Sequence, residues 1–104
     1  MKTTIKATNL DLTPGIKKAI EEKIATLDKF IPYIDSTIEA FVEVALETRH
    51  HQKGKIYYAE ANIKVPGEIL RSEAREDNIY KAINTVKDEL QVLFKKHKGK
   101  IIKH

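Results

Sequence analysis

Apolar residues recur first at every second position, then at helical spacing, then at every second position through three further runs, and last at helical spacing again. A half-buried strand hides alternate residues and an amphipathic helix hides those three or four apart, so the predicted order is β-α-β-β-β-α. Thr3, Ile5 and Ala7 alternate with Lys2, Thr4, Lys6 and Thr8 in the first strand. Thr13 offers an N-cap and Pro14 fits the first helical position, after which Ile16, Ala19, Ile20, Ile24, Leu27 and Ile31 keep helical spacing until Pro32 is expected to stop the run. From Ser36 the alternation returns, with Ile38, Ala40, Val42, Val44 and Leu46 opposed to Thr37, Glu39, Phe41, Glu43 and Glu47. The polar stretch from Arg49 to Gly54 predicts a hairpin loop into a third strand, Ile56 to Val65. Pro66-Gly67 suits a type II turn, because proline presets φ and glycine accepts a positive φ at the next position. Leu70, Ser72 and Ala74 then alternate with Ile69, Arg71, Glu73 and Arg75. Asp77 is the expected cap of a second helix with the stripe Ile79, Ile83, Val86, Leu90, Leu93 and Phe94, and Gly99 its expected terminator.

That order has one economical arrangement. Strands two to four meander antiparallel, and the first helix makes a right-handed crossover that lays strand one parallel beside strand two. Sheet order 1-2-3-4 follows, with both helices on one face, an α+β two-layer sandwich. At this length one core serves the whole chain, so residues 1–104 are expected to form a single domain with a basic extension at 95–104.

Charge is distributed unevenly. The last ten residues hold five lysines and no acid, whereas residues 1–94 carry a net charge of −1. A clustered positive charge gains most from a polyanion that sheds its counterions, while a solvated tail that aids solubility is the plainer reading. Without cysteine there is no disulfide, thiol nucleophile or thiolate-bound metal, which suits a reducing compartment. The start of the chain lacks a signal-peptide core and no stretch is long and apolar enough for a membrane span, so a soluble cytoplasmic protein is expected.

Catalytic readings are weak. Ser36 and Ser72 are the two serines, and neither lies in a nucleophile-elbow context. Glu43, Glu47, Glu60 and Glu73 could converge on the open sheet face, yet no insertion encloses them to raise a pKa, and a solvated acidic face is the simpler reading. His50 and His51 are adjacent in a loop, and His97 and His104 lie near the chain end, where fraying is expected, so no metal site is expected. The four glycines are scattered, and no phosphate-cradling loop exists. The chain is therefore expected to be no enzyme, without cofactor or small-molecule substrate.

For RNA, the open sheet face is expected to display Glu39, Glu43, Glu47, Glu60 and Glu73 against Lys64, Arg71 and Arg75, a poor platform even with Phe41 and Tyr58 upon it. The outer side of the helix layer carries Lys17, Lys18, Lys23 and Lys29, then Lys81, Lys87 and the terminal lysines, interrupted by Glu21, Glu22, Asp88 and Glu89.

Several pieces in joint order resemble one family, the ribosome hibernation promoting factors, also called ribosome-associated inhibitors or ribosomal subunit interface proteins. They are Ile5 with Asn9 and Leu12-Thr13, Lys23-Ile24-Ala25 and Leu27, His50-His51, Ala59-Glu60-Ala61-Asn62 and Pro66-Gly67. The order continues with Ser72-Glu73-Ala74, Asp77, Tyr80, Ala82-Ile83, Leu90 and Lys96-His97-Lys98. The resemblance implies binding to 16S rRNA of the small ribosomal subunit near the decoding centre, in the path of mRNA and tRNA, and silenced translation under stress. Matched position by position, it implies Lys23, Lys87, Lys95, Lys96, Lys98 and Lys100 as rRNA contacts, and Tyr80 as either an RNA contact or a packing residue. The chain departs from the family at Asp88-Glu89-Leu90-Gln91-Val92 and at Thr26, where family members carry more basic residues. It also stops short of the second domain of long members, so dimerised ribosomes by that route are not expected, and the ribosome-bound form is expected to be monomeric. The alternatives are a protein-interaction module using sheet edges and a general double-stranded RNA-binding domain.

Overall fold

The computed structural model describes residues 1–34, 37–47 and 54–102. Its elements follow the predicted order: β1 (Lys2–Thr8), α1 (Pro14–Ala25) continued by a 3-10 segment (Thr26–Tyr33), β2 (Glu39–Glu47), β3 (Ile56–Val65), β4 (Glu68–Glu76) and α2 (Ile79–Ile102). The sheet runs β1-β2-β3-β4, with β1 parallel to β2 and the other pairs antiparallel. Its architecture is the expected α+β sandwich. Ser36, Arg49, His50, His51, Lys103 and His104 lie outside the described residues.

The alternation works as the pattern requires. Ala40, Val42, Val44, Ala59, Ala61, Ile63, Val65 and Leu70 face the helices and are buried. Ile16, Ile20, Ile24 and Leu27 meet them from the first helical layer, and Ile79, Ile83, Val86, Leu90 and Phe94 from α2. Alanine at 40, 59 and 61 lets helical leucines and isoleucines seat close to the sheet. Burying such side chains, each worth about 1.5–3 kcal/mol, is the main favourable contribution to this fold. Between β3 and β4, Gly67 has φ of 86°, the conformation the turn demanded of it.

Three expected boundaries move. Pro32 does not end the first helix; α-geometry ceases earlier, at Thr26, and the tighter 3-10 coil carries on through Pro32 to Tyr33. Thr26 donates its hydroxyl to the Lys23 carbonyl, and burial of both Leu27 and Phe30, three apart, matches the three-residue turn. The cap of α2 is Asn78, not Asp77: its Oδ1 accepts from the backbone N–H of Tyr80 and of Lys81. Nor does Gly99 end α2. The helix continues to Ile102, and the basic stretch through 102 is part of it rather than a separate extension.

Candidate nucleic-acid interface

The two helical runs lie side by side in the same direction. Tyr80 at the start of α2 meets Gly15 at the start of α1, where an added Cβ would stand 3.3 Å from the tyrosine hydroxyl. At the other end, Phe94 stacks on Phe30 with centroids 5.2 Å apart, and the Lys98 ammonium sits 3.9 Å from the centre of the Tyr33 ring. Helical spacing from these contacts places Gly15, Ala19 and Lys23 on the flank of the first helical run that faces α2, and Tyr80, Asn84, Lys87, Gln91 and Lys98 on the flank of α2 that faces it.

Of the candidate contacts, Lys23, Lys87, Lys98 and Tyr80 thus fall along these facing flanks, spread over the length of α2. Lys95 borders the same stripe on its solvent side, while Lys96 and Lys100 project from the opposite flank of α2. Their electrostatic states differ. Lys87 is only 18% exposed at its side chain and pairs with Asp88, which also accepts from the Asn84 amide. Lys100 lies 3.2 Å from Glu68 in the β3–β4 hairpin. Lys95 and Lys96 are exposed and have no carboxylate partner among the described residues. Lys98 is half-buried on the Tyr33 ring, and Tyr80 is 49% exposed.

Two groups escaped the reading of the chain. His97, placed near a frayed end, is 5% exposed, and its Nδ1 lies 2.8 Å from Glu68 Oε2. Hydrogen bonds from His97 and then Lys100 hold the Glu68 carboxyl below the usual carboxylate range. Glu68 therefore clamps the last turns of α2 to the sheet, a contact across 29 residues that no local pattern announces. Tyr33, the last residue of the 3-10 segment, is the second; its signal in the chain was an aromatic side chain close to Lys29 and directly after a proline.

The open sheet face differs from expectation in one respect. Lys2 and Lys6 of β1 share it, pairing in register with Glu39 and Glu43, so acids do not dominate as strongly as β2 to β4 alone implied. Its centre is locked internally. Tyr58 donates its hydroxyl to Glu60 and to Glu73, Arg71 reaches both carboxylates, and the Arg75 guanidinium covers the Tyr58 ring at 4.7 Å. The Tyr58 hydroxyl bond is the largest influence holding the Glu60 carboxyl below its ordinary range, with Arg71 and Asn62 adding to it. A carboxylate so held is a poor proton donor or acceptor at neutral pH, which opposes an acid–base role. Tyr58, at 9% exposed, offers no face for a base.

The ribosome hibernation promotion factor of Bacillus subtilis is 31% identical over 101 residues, covering 97% of this chain and 50% of the relative. The ribosome hibernation promoting factor of Acinetobacter guillouiae is 28% identical over 99 residues, covering 94% of this chain and 88% of the relative. The chain therefore spans about half the length of the first relative and most of the second. Among solved structures, the Thermus thermophilus Protein Y N-terminal domain superposes with a TM-score of 0.77 at 30% identity, covering 93% of this chain and 99% of that one. The family described as Sigma 54 modulation protein / S30EA ribosomal protein matches residues 3–102, from β1 to the last turn of α2. Because that match takes in every strand and both helices, the chain belongs to this family.

Proposed function

We propose that the chain is a ribosome hibernation factor that lays its helix layer on 16S rRNA of the small subunit near the decoding centre and excludes mRNA and tRNA by occupancy. No bond is made or broken. The observation that carries the reading is the end of α2, where Lys95, Lys96 and Lys98 lie within four residues and have no carboxylate partner among the described residues. Ammonium groups already neutralised by a neighbour release few phosphate counterions on binding, whereas these three release the full complement. Support also comes from relatives named as hibernation factors. The sheet, with its carboxylates committed to Tyr58, Arg71 and Arg75, serves as the rigid backing.

The test is sedimentation of purified subunits with the full chain at low salt and at about 0.5 M salt, where the screening length is roughly 4 Å. Co-migration with small subunits at low salt, lost at high salt, together with arrest of cell-free translation, is the expected result. Association that ignores salt, or none with small subunits, overturns the proposal. Full-length charge-neutral variants are preferable to truncation after Phe94, since truncation would also remove the buried His97 and both partners of Glu68.

A further inference from the structure

Exposed aromatic rings bind nucleobases only where the surroundings also accept phosphate, so the company each ring keeps separates them. Among the described residues, Tyr33, Phe41 and Tyr80 each leave about two-fifths to one-half of their surface open. Phe41 lies on the sheet with Glu39 and Glu43 on either side along its strand, which repels phosphate. Beside Tyr80, the Lys81 ammonium is engaged by Glu76 at 3.6 Å and Asp77 at 3.9 Å. Tyr33 differs: the Lys98 ammonium stands 3.9 Å from its ring centre, and no described carboxylate pairs with that lysine.

We propose that Tyr33 and Lys98 form a stacking site for an unpaired RNA base where the end of the 3-10 segment meets the last turns of α2, a refinement that rests on the RNA-binding reading above. The ring is pre-positioned. Pro32 fixes the backbone before it, Phe30 on one side is stacked on Phe94, and Ile34 on the other is buried. With 41% of its surface open, the tyrosine would take a base on the face opposite the Lys98 ammonium, whose charge, held at the ring by cation–π attraction, faces the adjoining phosphate. A base in a duplex presents no free face, so the site selects single-stranded or bulged RNA.

The experiment titrates full-length protein into a fluorescent, unstructured single-stranded RNA oligonucleotide, and into the same oligonucleotide with abasic positions that keeps every phosphate. Wild type is expected to bind the intact strand roughly tenfold more tightly than the abasic one, the usual scale for one stacked base. Tyr33→Ala should lose that advantage with an unchanged salt slope, and Tyr33→Phe should keep it. Lys98→Gln should lower the slope by about 0.7, one phosphate on a single strand. Equal binding of intact and abasic RNA by wild type, or a Tyr33→Ala variant that retains the preference, overturns the stacking site and leaves the electrostatic reading standing. Failure of wild type to bind either strand also overturns the stacking site, whereas the ribosome reading stands or falls on sedimentation with small subunits. The abasic comparison uses unaltered protein, so it decides the matter even if Tyr33→Ala folds poorly.

Discussion

Replacing Lys95 and Lys96 together by glutamine tests the electrostatic reading most directly, because both ammonium groups are exposed and neither has a described partner to lose. Each neutralised phosphate contributes roughly 0.7 to 0.9 to the slope of log affinity against log salt, the lower figure for single strands. Over a fourfold change in salt, from about 50 to about 200 mM, one contact changes affinity about threefold and two contacts about tenfold. Wild-type affinity for small subunits should therefore fall about tenfold more across that interval than that of the double variant, whose slope should be shallower by about 1.6. Lys87→Gln is the internal comparison. Its ammonium is already neutralised by Asp88, so the slope should change by less than about half as much per residue as at Lys95 or Lys96. Asp88→Asn should release Lys87 and steepen the slope by about one contact. Binding measured by fluorescence anisotropy on labelled protein provides all four slopes. An unchanged slope in the Lys95/Lys96 variant, or an equal loss for Lys87→Gln, refutes the assignment of strong charge to the end of α2. Circular dichroism should show the same helicity throughout, since none of these side chains lies in the core.

Packing and protonation furnish further tests. Phe94→Ala removes a ring that is 1% exposed and stacked on Phe30, and should cost about 3–5 kcal/mol in urea unfolding; a loss under about 1.5 kcal/mol would contradict the packing described. Phe30→Ala combined with it should cost less than the sum, by about 0.5–1.5 kcal/mol, the usual value of an aromatic pair. Glu60 has its folded pKa below its unfolded one, so its contribution is complete above the ordinary carboxylate range and is lost as pH falls through the folded value. Thermal melts should therefore drop in acid, less so for Glu60→Gln. Tyr58 has the opposite displacement: burial, then its bonds to Glu60 and Glu73, push the hydroxyl above its ordinary value. Stability is thus complete below about pH 10 and declines above it, and Tyr58→Phe should flatten that alkaline decline.

The features legible in the chain are those set by residues a few positions apart. Strand faces, the Thr13 cap, the Pro66-Gly67 turn and the buried stripe of α2 depend on local backbone geometry and on which side chains repel water, and the chain spells these out directly. The lysine cluster was equally legible. Its electrostatic meaning was not, because whether an ammonium is free depends on what the fold sets beside it. Asp88 mutes Lys87 as its neighbour in the chain, but Glu68 engages Lys100 from the β3–β4 hairpin and Tyr33 cradles Lys98 from the end of the first helical run. The moved boundaries have the same origin. Asp77 and Asn78 are both capable caps, and the one whose side chain takes the free N–H groups is Asn78, directly before the buried Ile79. Gly99 could have ended α2, but burial of His97 and the grip of Glu68 on both sides of that glycine keep the backbone helical through it. Local periodicity thus determined the architecture, and tertiary contact decided which of the terminal cations face outward unpaired and which aromatic ring stands among them, because beyond adjacent residues charge pairing and exposure are properties of neighbours in space.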